Sequence, residues 1–363
     1  MAHRPDVSIT QNAEKQFQTA SLNTVSLGKG VFLFSGDGAN IVAVTDDATT
    51  VLVDSGIAPR VDELAQALAN TTHGPVTCLI NTSWHFDHTG DLSLFPRSAE
   101  LIVGPAFISN ELLMPGYPTN KRSAMMDSDF EGREVREIEF SNKFKIGQFQ
   151  AHDLLGDGSF YVLNVPGHAV GHISGLARTT PDTFVFMGGD VCHFGGSFRP
   201  TIYKPLPAEI SVDIPLDKKR FRLPYSCSMF TSCHPLKNES EEKARTTPYY
   251  QVTTAEGSWY IDPPTAQDSI NKLEEFDADP NVFVCIAHDG GLNDVVDWFP
   301  HGTLNDWKKK GWKEKSQWGF LNALPVNWKP VGENFCPGLM KDGKLVNEWS
   351  RFELSDKDRG IMV

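Results

Sequence analysis

Residues 85–91 read HFDHTGD, and they follow an apolar run, VTCLI at 76–80, that predicts a buried β-strand. His85, Asp87 and His88 place two imidazoles and one carboxylate within four positions. A loop at the end of a strand is where a rigid scaffold presents side chains for binding. Nitrogen and oxygen ligands suit zinc, and less often iron or manganese. The stretch therefore predicts a metal site at the edge of a sheet.

Three later apolar runs also lead to side chains that can bind a metal. They lie at 160–165, 183–187 and 282–287, and lead to His168, Asp190 and His288, respectively. Because strands of one layer can bring their ends to a common edge, we expect these donors to meet the cluster at 85–88.

The bulk composition indicates a folded protein that neither binds nucleic acid nor crosses a membrane. The 363 residues are 40% hydrophobic and 22% charged, and the formal net charge of −13 opposes binding to a phosphate backbone. No apolar stretch approaches the length of a membrane span and no hydrophobic signal segment is present, which predicts a cytoplasmic protein. Six scattered cysteines predict free thiols, with a Cys227–Cys233 disulfide as the alternative.

Strands and helices are predicted to alternate along the chain. A helix is expected to begin at Pro59, another is predicted at 105–113, and a third is expected to have Thr265 as its N-cap. The apolar stripe of the first helix consists of Val61, Leu64, Ala65 and Leu68, which recur at helical spacing. Further β-favouring segments lie at 31–35, 40–45, 50–54, 100–103 and 174–179.

The same pattern divides the chain into three parts. Residues 1–20 are predicted to form an N-terminal tail, residues 21–300 one domain, and residues 301–363 a C-terminal extension packed on the same domain. Within the domain, residues 195–262 hold many prolines, serines and charged residues with little periodicity. A long segment of this kind is typical of an insertion or a lid.

The order of these motifs resembles that of the metallo-β-lactamase superfamily over roughly residues 22–290. The matching stretches are VLVDSG at 51–56, SWHFDH at 83–88, PGHAVGH at 166–172, GGD at 188–190 and AHD at 287–289. The resemblance implies an α/β protein, an αββα sandwich with a long insertion and a C-terminal extension. It also implies a metal centre at one edge of the two sheets.

The resemblance further implies a role for each candidate side chain. His85 and His168 would bind a first metal ion, and Asp190 would bridge it to a second. The second ion would be held by Asp87, His88 and His288, and Asp87 would also act as a general base. Asp54 and His172 would orient the ligands. The implied cofactor is one or two zinc ions, with iron or manganese as alternatives.

Ser83 departs from the superfamily pattern, which has a histidine at this position. A hydroxyl is a poorer zinc ligand than an imidazole, so the first metal site would keep only His85, His168 and Asp190. Three outcomes are open, in order of preference. The first site persists with a water in place of the imidazole, the protein uses one metal at the second site, or the centre is inactive.

The leading functional hypothesis is a metal-dependent hydrolase that opens a lactone or lactam-like ring in a small, mostly apolar molecule. The reaction would proceed by attack of metal-bound hydroxide. His193 lies three residues after Asp190, where some lactonases of the superfamily have a tyrosine that donates to the substrate carbonyl, and it would either do the same or hydrogen-bond the backbone. The stretches DGSFY at 157–161, GGDVCH at 188–193 and IAHD at 286–289 resemble a fungal, lactonase-like branch of the superfamily that acts on natural products. We also expect a small-molecule substrate and a possible homodimer.

Three alternatives to this hypothesis remain open. A thioesterase would use the same centre on an acyl-thioester. An oxygenase would hold a single iron through His85, His168 and Asp190, which match a site of two histidines and one carboxylate. A catalytically degenerate member would bind a small ligand in the former active-site cleft, as the serine at position 83 allows.

Overall fold

The computed structural model describes residues 30–35, 40–45, 50–56, 61–71, 76–256, 258–298, 302–324, 338–341 and 344–348. The predicted N-terminal tail, residues 1–20, lies outside these residues, as do Pro59 and Cys336. The strands are β1 (Gly30–Ser35), β2 (Asn40–Thr45), β3 (Thr50–Val53), β4 (Cys78–Ile80), β5 (Glu100–Val103), β6 (Val135–Glu137), β7 (Lys145–Ile146), β8 (Phe149–Asp153), β9 (Phe160–Asn164), β10 (Ile173–Thr180), β11 (Thr183–Met187), β12 (Glu209–Ile210), β13 (Tyr225–Ser226), β14 (Val282–Cys285), β15 (Gly338–Lys341) and β16 (Lys344–Glu348).

Two six-stranded sheets form the centre of the fold. The first has the order β1-β2-β3-β4-β5-β6, and the second has the order β14-β11-β10-β9-β8-β7. In the first sheet β3 to β6 are parallel, so the ends of β3, β4 and β5 lie at one edge. In the second sheet β14 is parallel to β11, which brings the ends of these two strands to a common edge as well.

The main core lies between the two sheets. Side chains of a strand alternate between its two faces. Val51 and Val53 therefore point into this core, whereas Leu52 lies on the outer face of the first sheet. In the second sheet Val185 points into the same core, and Phe186 lies on the outer face.

Helices cover both outer faces, which gives the predicted αββα sandwich. Val61, Leu64 and Leu68 of helix Val61–Thr71 pack on the first sheet, and helix Pro263–Ala278 covers the second. Among the described segments, no helix combines the length and apolar character needed to span a bilayer. The other helices are Phe86–Thr89, Asp127–Phe130, Cys227–Thr231, Glu241–Thr246, Trp307–Lys310 and Trp312–Ser316, with 3₁₀ turns at Leu92–Leu94, Gly195–Ser197, Gly290–Leu292 and Gly319–Ala323.

Two helix predictions were wrong. Residues 105–113 form turns instead of a helix, because the backbone N–H groups of Ala106 and Ile108 donate to the Glu137 carboxylate. The later helix is capped by Asp262 and not by Thr265. Asp262 accepts hydrogen bonds from the backbone N–H and the hydroxyl of Thr265, so Thr265 lies within the first turn.

The segment at 195–262 forms a core of its own with residues that follow the second sheet. Phe230 and Tyr249 of this segment pack with Phe320 in one buried cluster. A buried ion pair, Arg199 Nη2 to Asp277 Oδ1 at 2.6 Å, joins the segment to helix Pro263–Ala278. Residues 302–324 of the proposed C-terminal extension are in close contact with the sandwich through Trp307 and with the segment through Phe320. The division into domains stays a prediction.

The five cysteines that the structure describes are free thiols, as predicted. Cys78, Cys192, Cys227 and Cys285 are buried, and Cys233 is half-buried. Burial raises the pKa of the Cys78 thiol to about 12, which keeps it protonated and unreactive.

Candidate metal centre

The loop after β4 presents the first group of donors. His85 has extended backbone and precedes a single helical turn, Phe86–Thr89, which turns Asp87 and His88 inward. Phe86 points the other way and is 79% exposed. The helical turn after the strand explains why the adjacent Asp87 and His88 both face the centre while Phe86 faces the solvent.

The carboxylate of Asp190 lies at the centre of the candidate metal ligands. Its Oδ2 lies 2.9 Å from His88 Nε2 and 3.1 Å from His168 Nε2, and its Oδ1 lies 3.2 Å from His288 Nε2. The turn after β11 can bring this carboxylate close to β4 because it contains glycine. A Cβ on Gly189, whose φ is +51°, would lie 2.4 Å from Thr82 Oγ1. One carboxylate thus contacts imidazoles from three separate parts of the chain.

The donor atoms form two groups that share Asp190, each with all its donor atoms within 4.8 Å of one another. The first group is His85, His168 and Asp190, and the second is Asp87, His88, Asp190 and His288. His85 Nδ1 and His168 Nε2 are 2.9 Å apart. Asp190 Oδ1 is buried, and its 3.2 Å contact with His288 Nε2 lacks the alignment of a hydrogen bond. Converging nitrogen and oxygen donors and an unsatisfied buried carboxylate oxygen fit a divalent cation such as zinc.

The two groups differ in charge. In the first, burial lowers the pKa of His85 to about 4 and also lowers the pKa of His168, so both imidazoles are neutral at pH 7. In the second, burial opposes charge on His288, but its contacts with Asp190 and Asp87 raise its pKa to about 9. In the first group a metal ion can bind the lone pairs of the neutral imidazoles directly. In the second group a metal ion would have to displace the proton that His288 carries at pH 7.

Two further side chains hold the donors in place. Asp54 Oδ2 accepts a hydrogen bond from His88 Nδ1 at 2.8 Å, and Asp54 is itself fixed by the backbone N–H and hydroxyl of Thr82. His172 Nδ1 donates to the Val165 carbonyl at 2.8 Å, and its Nε2 accepts from the Asp190 backbone N–H at 3.1 Å. Asp54 thereby orients the ring of His88, and His172 fixes the backbone of Asp190.

Replacing Asp54 with asparagine is expected to weaken metal binding at the second group. The amide retains the size of the carboxylate and tolerates the positive φ of 60° at this position. It has one acceptor oxygen in place of two, so it cannot accept from the Thr82 backbone N–H on one side and from His88 Nδ1 on the other. Loss of such an orienting bond costs roughly 10- to 100-fold in metal affinity. Competition with a chelating dye measures the change.

The matched control for this variant is Asp268→Asn, an exposed carboxylate paired with Lys272 on the surface of helix Pro263–Ala278. Its metal affinity should equal that of the unmodified protein. Equal affinity for Asp54→Asn as well would mean that His88 needs no orienting partner.

Ser83 lies directly against the first group. Its side chain is buried, and Ser83 Oγ is 3.1 Å from His85 Nδ1 and 3.3 Å from the His85 backbone nitrogen. The hydroxyl therefore stands where the superfamily pattern has an imidazole, next to the atom of His85 that faces His168. The structure brings this serine and the other nine predicted site residues together at one edge of the sandwich.

Sequence reasoning missed one side chain at the centre, Tyr260. Its hydroxyl is 3.1 Å from His193 Nδ1, and its ring lies edge-on to His168 at 5.3 Å between centroids. Trp259, which is 75% exposed, lies edge-on to His193 at 5.6 Å. The only signal was an aromatic pair just before a helix, and 67 residues separate Tyr260 from its partner.

The profile of the Metallo-beta-lactamase superfamily matches residues 34–288, which is more than half of the chain and includes all the donors above. The chain belongs to the metallo-β-lactamase superfamily. The fold prediction and the prediction of superfamily membership are thereby confirmed.

Curated fungal relatives of this superfamily are similar to most of the chain. Gamma-lactamase FDB1 of Fusarium pseudograminearum is 42% identical over 299 residues, 81% of this chain and 68% of the relative. Metallo-hydrolase mfmC of Annulohypoxylon moriforme is 38% identical, over 78% of this chain and 70% of the relative. Gamma-lactamase MBL2 of Gibberella moniliformis is 40% identical, over 64% of this chain and 92% of the relative. These relatives confirm the predicted fungal branch and the hydrolase class of this metallo-β-lactamase superfamily member.

Proposed function

We propose that this hydrolase opens a lactone or lactam-like ring in a small, mostly apolar molecule with the help of one or two zinc ions. The observation that carries the proposal is the pair of donor groups joined by Asp190. Two relatives named γ-lactamases support a cyclic amide or a similar ring as the substrate. Two exposed aromatic side chains support an apolar substrate: Phe86, which lies between His85 and Asp87 in sequence, and Trp259, which contacts His193.

The two donor groups would each hold one metal ion. His85, His168 and Asp190 would hold one ion, and Asp87, His88, Asp190 and His288 the other. When bound, such ions would lower the pKa of water and polarise the carbonyl of the substrate. Although burial opposes it, contact with His288 lowers the pKa of Asp87, so Asp87 is ionised and can accept a proton from the attacking water.

His193 completes the proposed mechanism on the protein side. Its Nε2 lies 3.5 Å from Asp190 Oδ2, and its side chain is partly exposed, so a substrate carbonyl can approach it. A hydrogen bond from this nitrogen would stabilise the charge that develops on the carbonyl oxygen. The ring C–O or C–N bond then breaks, and the proton taken from water passes to the departing oxygen or nitrogen.

The second donor group argues against the mononuclear-iron alternative. An oxygenase site would need only His85, His168 and Asp190, and it would leave Asp87, His88 and His288 without a role. A thioesterase, in contrast, would use the whole centre in the same way, because the water attacks a carbonyl in both reactions. The test must therefore separate ring opening from thioester cleavage.

We expect ring opening to depend on the metal, and a matched set of probes tests this. The probes are phthalide, isoindolin-1-one, which has N–H in place of its ring oxygen, and the S-hexanoyl thioester of N-acetylcysteamine. Protein purified without chelator is analysed for zinc, iron and manganese and then assayed by mass spectrometry for the addition of one water. The same protein is assayed after metal removal and after zinc is restored.

Zinc-dependent opening of either ring supports the proposal, and the ratio of the two rates says whether lactones or lactams are preferred. Cleavage of the thioester alone would replace the proposal with a thioesterase. A single iron and no hydrolysis would revive the oxygenase, and protein that takes up no metal would leave only a ligand-binding role.

A further inference from the structure

A short stretch at the end of the 195–262 segment, Trp259 to Asp262, returns to the metal centre. The backbone N–H of Ile261 donates to the His168 carbonyl at 3.0 Å, and that of Asp262 donates to the Gly167 carbonyl at 2.9 Å. Asp262 also caps helix Pro263–Ala278, whose apolar side chains are packed on the second sheet. The stretch is therefore fixed at both the donor loop and a buried helix.

Tyr260, in this stretch, contacts His193 from the side opposite Asp190. The tyrosine hydroxyl is 3.1 Å from His193 Nδ1, and Asp190 Oδ2 is 3.5 Å from His193 Nε2. The His193 ring also stacks on His288 with centroids 5.2 Å apart and planes at 21°. His193 is thus held on both ring nitrogens and on one face.

These contacts select one tautomer of His193. An ionised carboxylate can only accept a hydrogen bond, so the nitrogen that faces Asp190, Nε2, carries the proton. In a neutral imidazole the other nitrogen, Nδ1, is then an acceptor, and the Tyr260 hydroxyl must be the donor.

We propose that Tyr260 is a positioning residue that holds His193 as its Nε2–H tautomer, the form that can donate to the carbonyl oxygen of the substrate in place of the 3.5 Å contact with Asp190. The inference rests on the proposed function only for the role of His193 in the reaction. The tyrosine comes from the segment that the sequence marks as an insertion, so this segment would contribute to chemistry as well as cover the site. Because the Tyr260 hydroxyl fixes the direction of the His193 Nε2–H bond, it also limits where the carbonyl group of a substrate can bind.

The test compares Tyr260→Phe with Tyr250→Phe. The second change removes a hydroxyl from an exposed ring of the same segment, and this ring packs on Phe194 and not on His193. Both variants keep their rings, so both should fold. The ¹⁵N chemical shifts of histidine-labelled protein report which ring nitrogen of His193 carries the proton. Steady-state kinetics are measured on whichever of phthalide and isoindolin-1-one the unmodified protein opens, with zinc content determined for each sample.

In Tyr260→Phe we expect the His193 signals to change from a fixed Nε2–H pattern to a mixture of tautomers, and kcat to fall roughly 10-fold with KM within about twofold. Zinc content and the Tyr250→Phe values should match the unmodified protein. Unchanged His193 signals would overturn the assignment of the tautomer to Tyr260. Changed signals with unchanged kcat would overturn its role in the reaction and leave ring opening intact.

If the unmodified protein opens neither ring, the proposed function fails, and the nitrogen shifts still decide whether Tyr260 sets the tautomer of His193. A loss of zinc from Tyr260→Phe would contradict the proposal too, because it would mean that the tyrosine supports His168 instead of His193.

Discussion

Asp190→Asn is expected to abolish metal-dependent turnover and to weaken both donor groups at once. Asp190 is the one side chain that the two groups share, with contacts of 2.9 to 3.2 Å to His88, His168 and His288. An asparagine keeps the shape but replaces a charged acceptor with a neutral amide, half of which is a donor. Loss of a hydrogen bond that only orients a metal ligand lowers metal affinity about 10- to 100-fold. Loss of the Asp190 carboxylate, which is itself a candidate ligand, should therefore lower metal affinity at least about 100-fold.

Elemental analysis and chelator competition on Asp190→Asn measure this effect, with the exposed Asp268→Asn as the matched control. The control should keep its metal and its activity. Both ions should be lost together from Asp190→Asn. Retention of one ion at unchanged affinity would show that the two groups do not depend on the same carboxylate, and would contradict the shared centre.

Ser83→His is expected to strengthen the first donor group. Ser83 Oγ lies 3.1 Å from His85 Nδ1, so an imidazole at this position would reach the space between His85 and His168. An added nitrogen ligand should raise the affinity of this group by at least about 10-fold, the lower end of what an outer orienting partner contributes. Metal titration followed by elemental analysis measures the number of ions bound per chain at limiting zinc.

The result distinguishes the three outcomes that the serine leaves open. One zinc in the unmodified protein and two in Ser83→His would mean that the serine weakens the first group. Two zinc ions per chain in both proteins would mean that the first group binds its ion despite the serine hydroxyl. Ser83→Ala is then the control that shows whether the serine oxygen contributes to metal binding. Because Ser83 is 2% exposed, a melting curve must show that the larger side chain is accommodated before a negative result contradicts the prediction.

The fold could be predicted well from the sequence because its strands are short, apolar and separated by turns. Each strand predicted from 31–35 to 282–287 is present, with ends displaced by at most two residues. The stripe of Val61, Leu64 and Leu68 also lies where it was expected, on the buried face of its helix. Such elements can be predicted from a short stretch of sequence, because the spacing of the apolar residues shows which face is buried and whether the stretch is a strand or a helix.

The helix predicted at 105–113 shows where local patterns fail. Its residues have ordinary helical propensity, but a carboxylate 29 residues beyond Ile108 accepts the backbone N–H groups that would begin the helix. Tyr260 was missed for the same reason, since nothing near it in sequence indicates that it reaches His193. The donors of the metal centre could be found because each follows its own strand. The way they share Asp190 depends on how the two sheets pack, which no local pattern contains.

The donors come from both layers of the sandwich. His85, Asp87 and His88 follow β4 of the first sheet, whereas Asp190 and His288 follow β11 and β14 of the second. Bound ions would therefore act as non-covalent cross-links between the layers. By mass action, free metal at 100 times its dissociation constant adds about 2.7 kcal/mol to the free energy of unfolding. The lifetime of this protein would then follow the supply of metal in its surroundings, and loss of the metal would lower the fraction of folded chain as well as the activity.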